Sequence, residues 1–443
     1  MRHGLVGCLA LALGVAAFGC GGDEADESIS GVIPGEMFAG RSADVLIIGN
    51  NTSWEEGVQV SLGEGITVDS VTVASPTALM VTATADATAE PGVRQVSVDD
   101  LAFSDAFEVT SPVVVKLQGQ TAQGSVSIVS VQNLDFANPF DTTTTGDGFF
   151  TPLEYVNIAV TSGEGATAQI SFVEPFAMEF LLLTDVNAAP GVVDLEVLSG
   201  PAGQQQSFRY PAAYEVEARE AVALQSGEPV TASVDEPFQS HLYMATAESL
   251  SVMNFTTFAE SPDAQPAFAL LPASGSFAEL ITYDSVSQFV GDDAYYLVYW
   301  DGSGMSGYSY RIDASIQAAL ALEESEPNNT TAAAAKPATM PAVVQAAKLT
   351  VTDEDWIRVR IPAGSANKSI HVFTYGADPL TDTAVQIFLS NGTSKIAEGD
   401  DQGYHENVAS APMGPGTYYV KVFGSPGYFD PEHDVYSVAV VLE

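Results

Sequence analysis

The stretch GITVDSVTV, residues Gly65–Val73, alternates apolar and polar side chains with a period of two. This alternation is typical of a β-strand that buries one face. Gly63-Glu64-Gly65 opens the stretch, and about 100 residues later Gly163-Glu164-Gly165 opens a similar one. A repeat of this length, built from short strands, indicates two related β-domains in tandem.

The repeat extends to a second pair of segments. Glu90-Pro91-Gly92-Val93 and Ala189-Pro190-Gly191-Val192 each precede a strand, and an aromatic strand follows each of these. Proline fixes φ and glycine supplies a positive φ, so each Pro-Gly pair predicts a turn between antiparallel strands.

The C-terminal half carries its own repeat. The run AYYLVY at Ala294–Tyr299 and the run TYYVKV at Thr417–Val422 each lead through a Gly-rich turn to another alternating strand. Each resembles the closing hairpin of a sandwich. The whole chain is therefore predicted to be all-β, a row of antiparallel β-sandwiches. One segment differs: Ala314–Glu323 is rich in Ala and Leu, and we expect a short linker helix there.

Composition restricts the function. Of 443 residues, 46% are hydrophobic, which is enough for several cores. There are 14 Lys and Arg against 57 Asp and Glu, for a net charge of −43. Nucleic-acid binding needs a basic face, so this charge excludes it. The charge fits a solvated, exported surface.

Residues 1–19 have the charge pattern and the short apolar core of a signal peptide. Ala17-Phe18-Gly19-Cys20 resembles the bacterial lipobox, although Ala17 and Phe18 depart from the usual residues. The resemblance implies cleavage before Cys20 and its lipidation, followed by an acidic tether at 20–28. The alternative is an ordinary secretory signal with a chance cysteine.

The cysteine count favours the lipid anchor. The only other cysteine, Cys8, lies within the signal, so the exported chain would hold one cysteine, at its first position. Gly21 stands where an inner-membrane retention signal of enteric bacteria carries Asp. We therefore expect a protein anchored by lipid to the bacterial envelope, at the outer membrane.

Family resemblances refine the domain boundaries. Residues 29–112 resemble an IPT/TIG immunoglobulin-like module through Ile33-Pro34-Gly35, Ile47–Asn51 and Ala89–Val93. Residues 113–217 are predicted to be a second immunoglobulin-like sandwich with an insertion after Asn138.

Residues 317–443 resemble the bacterial pre-peptidase C-terminal domain, which is also known as a collagen-binding domain. The matching segments are Glu324–Thr330, Asp353–Ile357, Pro362–Gly364, Asp400-Asp401 and Gly416–Tyr419. The resemblance implies a jelly-roll sandwich. Residues 218–316 lack the opening segment and are predicted to be a degenerate copy.

A calcium site is the sharpest chemical prediction. Glu324, Glu326 and Asn328 alternate along an extended segment, which would place them on one side. The resemblance implies that acids of this opening and of the following strand can hold Ca²⁺, which prefers oxygen ligands. It extends the candidate ligands to Asp353 and Asp355. The alternative is a turn with solvated acids.

Catalysis finds little support. The sequence contains neither H-E-x-x-H nor G-x-S-x-G. We therefore expect a non-catalytic surface protein that binds an extracellular protein or polysaccharide. The aromatic clusters Tyr295–Trp300 and Tyr418-Tyr419 are the candidate binding surface. The alternatives are a structural component of the cell envelope and a hydrolase that uses carboxylates.

Overall fold

The computed structural model describes residues 26–146, 154–277, 282–283, 288–350, 352–375, 381–399, 406–425 and 435–443. Across these ranges all 35 elements in the chain order are β-strands, which confirms the all-β prediction. Within the same ranges, no helix has the length and hydropathy needed to cross a membrane. The chain divides into two compact units, residues 1–112 and 113–443.

The first unit is one pair of sheets. Their orders are β1-β3-β6-β5 and β2-β8-β7-β4, and only the β2–β8 pairing is parallel. Alternate residues such as Val45, Ile47 and Val81 point into a shared core and are fully buried. The strands are β1 Ser28–Ile33, β2 Glu36–Phe38, β3 Ser42–Asn50, β4 Val60–Ser61, β5 Ile66–Ser75, β6 Ala78–Ala85, β7 Gly92–Val98 and β8 Leu101–Thr110.

The second pair of sheets repeats this topology. Its orders are β9-β10-β15-β14 and β17-β16-β13, and β11 and β12 form an additional two-stranded sheet. The counterpart of β2 is reduced to one parallel bridge, Ala122 to Glu217. The strands are β9 Val113–Gln118, β10 Ser125–Asn133, β11 Thr144–Thr145, β12 Glu154–Tyr155, β13 Ile158–Thr161, β14 Ala166–Glu174, β15 Ala177–Thr184, β16 Gly191–Ser199 and β17 Gln206–Val216.

The repeated glycines have the same task in both pairs. Gly65 and Gly165 adopt φ values of 74° and 76°. A Cβ atom on Gly65 would lie 2.9 Å from the Cβ of Ala89, and one on Gly165 would lie 2.9 Å from the Cα of Ala188. The sequence repeat is thus a structural repeat, set by backbone conformation and close approach.

The third pair has the sheet orders β18-β20-β25-β22-β23 and β19-β26-β21-β24. Its core holds a group of buried tyrosines, in which Tyr299 stacks on Tyr310 with ring centroids 3.8 Å apart. The strands are β18 Val222–Leu224, β19 Val230–Val234, β20 His241–Thr246, β21 Ser251–Ala259, β22 Pro266–Leu271, β23 Thr282–Tyr283, β24 Gln288–Gly291, β25 Ala294–Asp301 and β26 Tyr308–Ala318.

The fourth pair has the sheet orders β27-β28-β35-β30-β33 and β29-β34-β31-β32. The strands are β27 Leu320–Glu323, β28 Ala342–Lys348, β29 Glu354–Ile361, β30 Ile370–Tyr375, β31 Thr383–Phe388, β32 Lys395–Gly399, β33 Asn407–Ala409, β34 Gly416–Gly424 and β35 Val435–Leu442.

The third and fourth pairs share eight strands in the same order and differ in the first. β18 pairs in parallel with β20, whereas β27 pairs in parallel with β28, which belongs to the opposite sheet. The first strand of the sheet pair therefore belongs to a different sheet in the fourth pair than in the third. In the fourth pair this change brings the end of β27 next to β28.

The linker helix predicted at Ala314–Glu323 is wrong. β26 continues to Ala318, where it pairs with Ser251, and β27 follows directly. Alanine and leucine favour helix locally, but strand pairing on both sides outweighs that preference.

Arg219 joins the second and third pairs. Its Nε–H donates to the carbonyl oxygen of Gln123 (2.9 Å), Nη1 donates to that of Ser240 (2.5 Å), and Nη2 donates to that of Gly124. Burial lowers the pKa of Arg219 to about 10, so the guanidinium stays charged at neutral pH. Beside it, Leu183 and Trp300 belong to an apolar cluster that both pairs share.

Candidate metal centre

Three acidic side chains of the fourth sheet pair converge. One carboxylate oxygen each from Glu324, Glu326 and Asp355 lies within 4.8 Å of the others. Glu324 follows the last residue of β27, and Asp355 is the second residue of β29. Residues about 30 positions apart in the chain therefore form one cluster.

Strand pairing fixes this approach. β27 is parallel to β28, and beyond its end the Glu324 Oε2 atom accepts a 2.9 Å hydrogen bond from the backbone N–H of Lys348. The backbone N–H of Trp356, next to Asp355, donates to the carbonyl oxygen of Asn328 at 3.3 Å. The segment between Glu324 and Asn328 is thus attached at both ends.

Asn328 also orients Glu326. Its backbone N–H donates to Glu326 Oε2 at 3.0 Å, while the Asn328 side chain is only 5% exposed. Glu326 itself is exposed, so the cluster extends from the protein interior to the solvent.

Tyr436 completes the surroundings of Asp355. The Tyr436 hydroxyl, on β35, donates a 2.6 Å hydrogen bond to Asp355 Oδ2, and Tyr436 is 1% exposed. A role for this tyrosine in the site was not predicted from the sequence. The available signal was a polar group at an inward position of the apolar run VYSVAVV.

Three oxygen atoms at the cluster are buried and have no hydrogen-bond partner in the described residues: Glu324 Oε1, Asn328 Oδ1 and Asp355 Oδ1. Buried polar atoms are nearly always hydrogen-bonded, because an unpaired one costs about 1–3 kcal/mol. Three such acceptors at one place are the arrangement that a bound cation would satisfy.

The electrostatics agree with this interpretation. Burial raises the pKa of Asp355 to about 7, and the charges of Glu324 and Asp353 add to this increase. The hydrogen bond from Tyr436 and a weaker interaction with the Asn328 side chain oppose it. Burial also raises the pKa of Glu324, with the charge of Glu326 contributing. Among the described ion pairs, none joins a lysine or arginine to these three acids.

The structure brings together most of the predicted ligands. Glu324, Glu326 and Asp355 form the cluster, and Asn328 lies beside it. Asp353 lies outside the group of three: its Oδ1 accepts a 3.1 Å hydrogen bond from the backbone N–H of Glu354, and its charge acts on the cluster from there.

The ligand atoms are all oxygens. Carboxylate and amide oxygens without histidine or cysteine favour a hard cation such as Ca²⁺ or Mg²⁺ over zinc. The residues present therefore fit calcium.

Two further predictions concern the lipid anchor and an aromatic binding surface. Cys20, the predicted lipid-bearing residue, lies outside the described residues. Of the aromatic cluster at Tyr295–Trp300, Tyr299 is fully buried and Trp300 is 4% exposed, so these two rings belong to the interior. They do not offer a binding surface.

A comparison with known families finds a match in the N-terminal part of the chain. The model of quinohemoprotein amine dehydrogenase, alpha subunit domain III, matches residues 26–109. This range is the first pair of sheets, and the match supports a β-rich, immunoglobulin-like domain there. No curated protein sequence matches the chain.

Solved structures with similar folds are tandem-domain proteins. S-layer protein SbsC domains 5–6 show 12% identity and a TM-score of 0.15, with 44% of this chain and 100% of that chain covered. Yersinia pseudotuberculosis adhesin InvE shows 13% identity and a TM-score of 0.16, with 47% of this chain and 68% of that chain covered. The tandem CBM22 domains of Paenibacillus barcinonensis Xyn10C show 10% identity and a TM-score of 0.16, with 64% of this chain and 92% of that chain covered. Such low values carry no information about ligands.

Proposed function

We propose that this chain is an exported, non-catalytic binding protein whose C-terminal β-sandwich is stabilised by calcium. The observation that supports the cation is the set of three buried, unpartnered oxygens on Glu324, Asn328 and Asp355. Glu326 adds a carboxylate from the solvent side. Ca²⁺ takes about six to eight oxygen ligands, so water would supply the remainder.

The cation would have a structural task. Glu324 follows β27, the first strand of the fourth sheet pair, whereas Asp355 belongs to β29 in the opposite sheet. A cation held by both would fix the connecting segment to the sandwich and offset the repulsion between its carboxylates. Binding only to the folded state adds to the free energy of unfolding.

The binding role rests on the sequence. The lipobox-like segment supports a lipid anchor at Cys20 and attachment to the outer membrane. The IPT/TIG-like and pre-peptidase C-terminal-like segments support a row of modules that carries a binding surface outward. An extracellular protein or polysaccharide is the ligand class that this proposal assigns.

Thermal unfolding of the whole chain in EDTA, and then in calcium, tests the cation. At a calcium concentration of 100 Kd, we expect a gain of about 2.7 kcal/mol. For a domain of this size, that corresponds to a rise of roughly 5–10 °C in the Tm of the C-terminal transition. The Glu326→Gln variant keeps its shape and should lose most of this rise.

Glu323→Gln is the matched control, because Glu323 is an exposed acid one residue before the cluster. Its calcium response should equal that of the unchanged chain. No rise in Tm at 10 mM calcium, or equal rises in Glu326→Gln and the unchanged chain, would contradict the site. The binding role is tested separately, by retention of envelope polymers or surface proteins on the immobilised chain.

A further inference from the structure

The second sheet pair has an unpaired edge at β14. In the order β9-β10-β15-β14 this strand is terminal, and its backbone pairs only with β15. Among the described residues, no backbone hydrogen bond links residues 167–174 to a strand other than β15. Such an edge presents a row of N–H and C=O groups that another strand can use.

This edge lacks the usual protection. Ala166–Val173 carries no charge, and one register shift interrupts the pairing, between Ile170 and Phe172. Its counterpart β5, in the first sheet pair, has two register shifts and a charge, Asp69. Asp69 lies four residues after Gly65, and Gln169 holds the same place after Gly165. Charges and bulges on edge strands prevent unwanted pairing, so β14 is the more open of the two.

Exposed aromatic rings lie at one end of this edge. Phe172 is 39% exposed, and Phe176, in the turn after β14, is 37% exposed. Phe136 is 71% exposed and meets Phe176 edge-to-face, with ring centroids 5.1 Å apart. Aromatic rings presented together are typical anchors of protein interfaces.

The loop that carries Phe136 is held in place. Asn133 Nδ2 donates to the carbonyl oxygen of Asn138 (2.9 Å), and Asn138 Nδ2 donates to Asp135 Oδ2 (2.9 Å). The Asn133 backbone N–H donates to the carbonyl oxygen of Phe176 at 3.0 Å. Phe136 is therefore presented in one position, and little conformational entropy is lost when it binds.

Charge identifies the partner. Glu164 and Glu174 lie at the two ends of the edge, and the net charge of the chain is −43. Pairing β14 with a second copy about a twofold axis at Gln169 would bring Glu164 of each copy opposite Glu174 of the other. A segment with basic residues at its ends would instead meet opposite charges.

We propose that β14 and the Phe136–Phe176 pair bind an extended segment of a positively charged polypeptide, which adds a strand to the sheet. This inference rests on the proposed binding role and names the kind of partner, but it does not depend on the cation site. Backbone pairing would supply affinity, and the rings would accept an apolar side chain.

The test uses two synthetic peptides with the whole chain, in calcium and in EDTA. Both alternate valine and threonine over ten residues; one has two lysines at each end and the other two glutamates. We expect the lysine peptide to slow hydrogen exchange of amides in 166–174 and to bind at least tenfold more tightly. Phe136→Ser and Gln169→Lys should each weaken its binding at least threefold.

Val192→Ser is the control, because Val192 is 65% exposed in the other sheet and should leave binding unchanged. No slower exchange with either peptide at 1 mM would overturn the proposal, as would equal affinity for both peptides. Slower exchange caused by dimerisation of the chain alone would assign the edge to a second copy instead. A calcium-dependent Tm without peptide binding would refute this inference and leave the cation site standing.

Discussion

The hydroxyl group of Tyr436 lies 2.6 Å from Asp355 Oδ2, although the two residues are 81 positions apart in the chain. The hydrogen bond occupies Oδ2 of Asp355, whereas Oδ1 is buried and accepts no close hydrogen bond in the described residues. Tyr436 thereby determines which oxygen of Asp355 is free for a cation.

Tyr436→Phe should weaken calcium binding about 3–10-fold, because Asp355 loses the donor that orients it. In EDTA the variant should lose about 1–2 kcal/mol of stability, the typical effect of removing a buried hydrogen bond. Calcium titration followed by Tm measures both effects. Tyr375→Phe is a suitable control, because the Tyr375 hydroxyl is also buried but interacts with the side chain of Ser437 and not with an acid of the cluster. An unchanged calcium response in Tyr436→Phe would contradict the orienting role.

Asp301 should make the third sheet pair sensitive to acid. Burial would raise the pKa of Asp301, but hydrogen bonds from Ser303, Met305, Gln265 and Tyr308 outweigh it and lower the pKa. A lowered folded-state pKa gives stability that is present above the unfolded pKa of about 3.9 and is lost as pH falls through the folded value.

Asp301→Asn should cost about 3 kcal/mol at pH 7, because the amide cannot accept all of these bonds. The gap in Tm between the variant and the unchanged chain should narrow below about pH 4. Asp263→Asn, a change at an exposed acid, serves as the control. A gap of constant size from pH 7 to pH 2.5 would show that the charge of Asp301 contributes nothing.

Arg219→Met should loosen the junction between the second and third sheet pairs. The methionine keeps much of the apolar volume but leaves the carbonyl groups of Gln123, Gly124 and Ser240 without their donor. We expect a loss of about 2–4 kcal/mol and faster proteolysis in the segment 217–221. Arg219→Lys should not restore the loss, because an ammonium lacks the planar fork. Arg311→Met, at a more exposed ion pair, should change neither measurement.

Cys20→Ser should move the chain from the detergent phase to the aqueous phase in phase partition. The expected reason is loss of the acylated thiol that would hold the protein at the membrane. Cys8→Ser, inside the predicted signal, should leave the partition unchanged. A Cys20→Ser protein that stays in the detergent phase would refute the anchor.

Local patterns were sufficient to predict the strands. Alternation such as GITVDSVTV and the repeated Gly and Pro-Gly positions depend on neighbours only a few residues away. The prediction of a linker helix was wrong because the segment Ala314–Glu323, despite its helical propensity, is stabilised more by strand pairing with β21 and β28. Pairing partners far along the chain are not visible in a local window.

The residues of the candidate site likewise fall into those that the sequence predicted and those that it did not. Glu324, Glu326 and Asn328 form one short segment, so their proximity could be predicted from spacing. The family resemblance brought Asp353 and Asp355 into the prediction. The contribution of Tyr436, and the separation of Asp355 from Asp353, depend on which strands face each other across the core. That information resides in the packing of the sheet that contains β29 against the sheet that contains β35.

The change of sheets by the first strand has a consequence for how successive sheet pairs are joined. β18 and β27 occupy opposite sheets although the other eight strands keep one order. A sheet pair of this kind can therefore be joined to the preceding one through either of its sheets while the order of the other eight strands is kept.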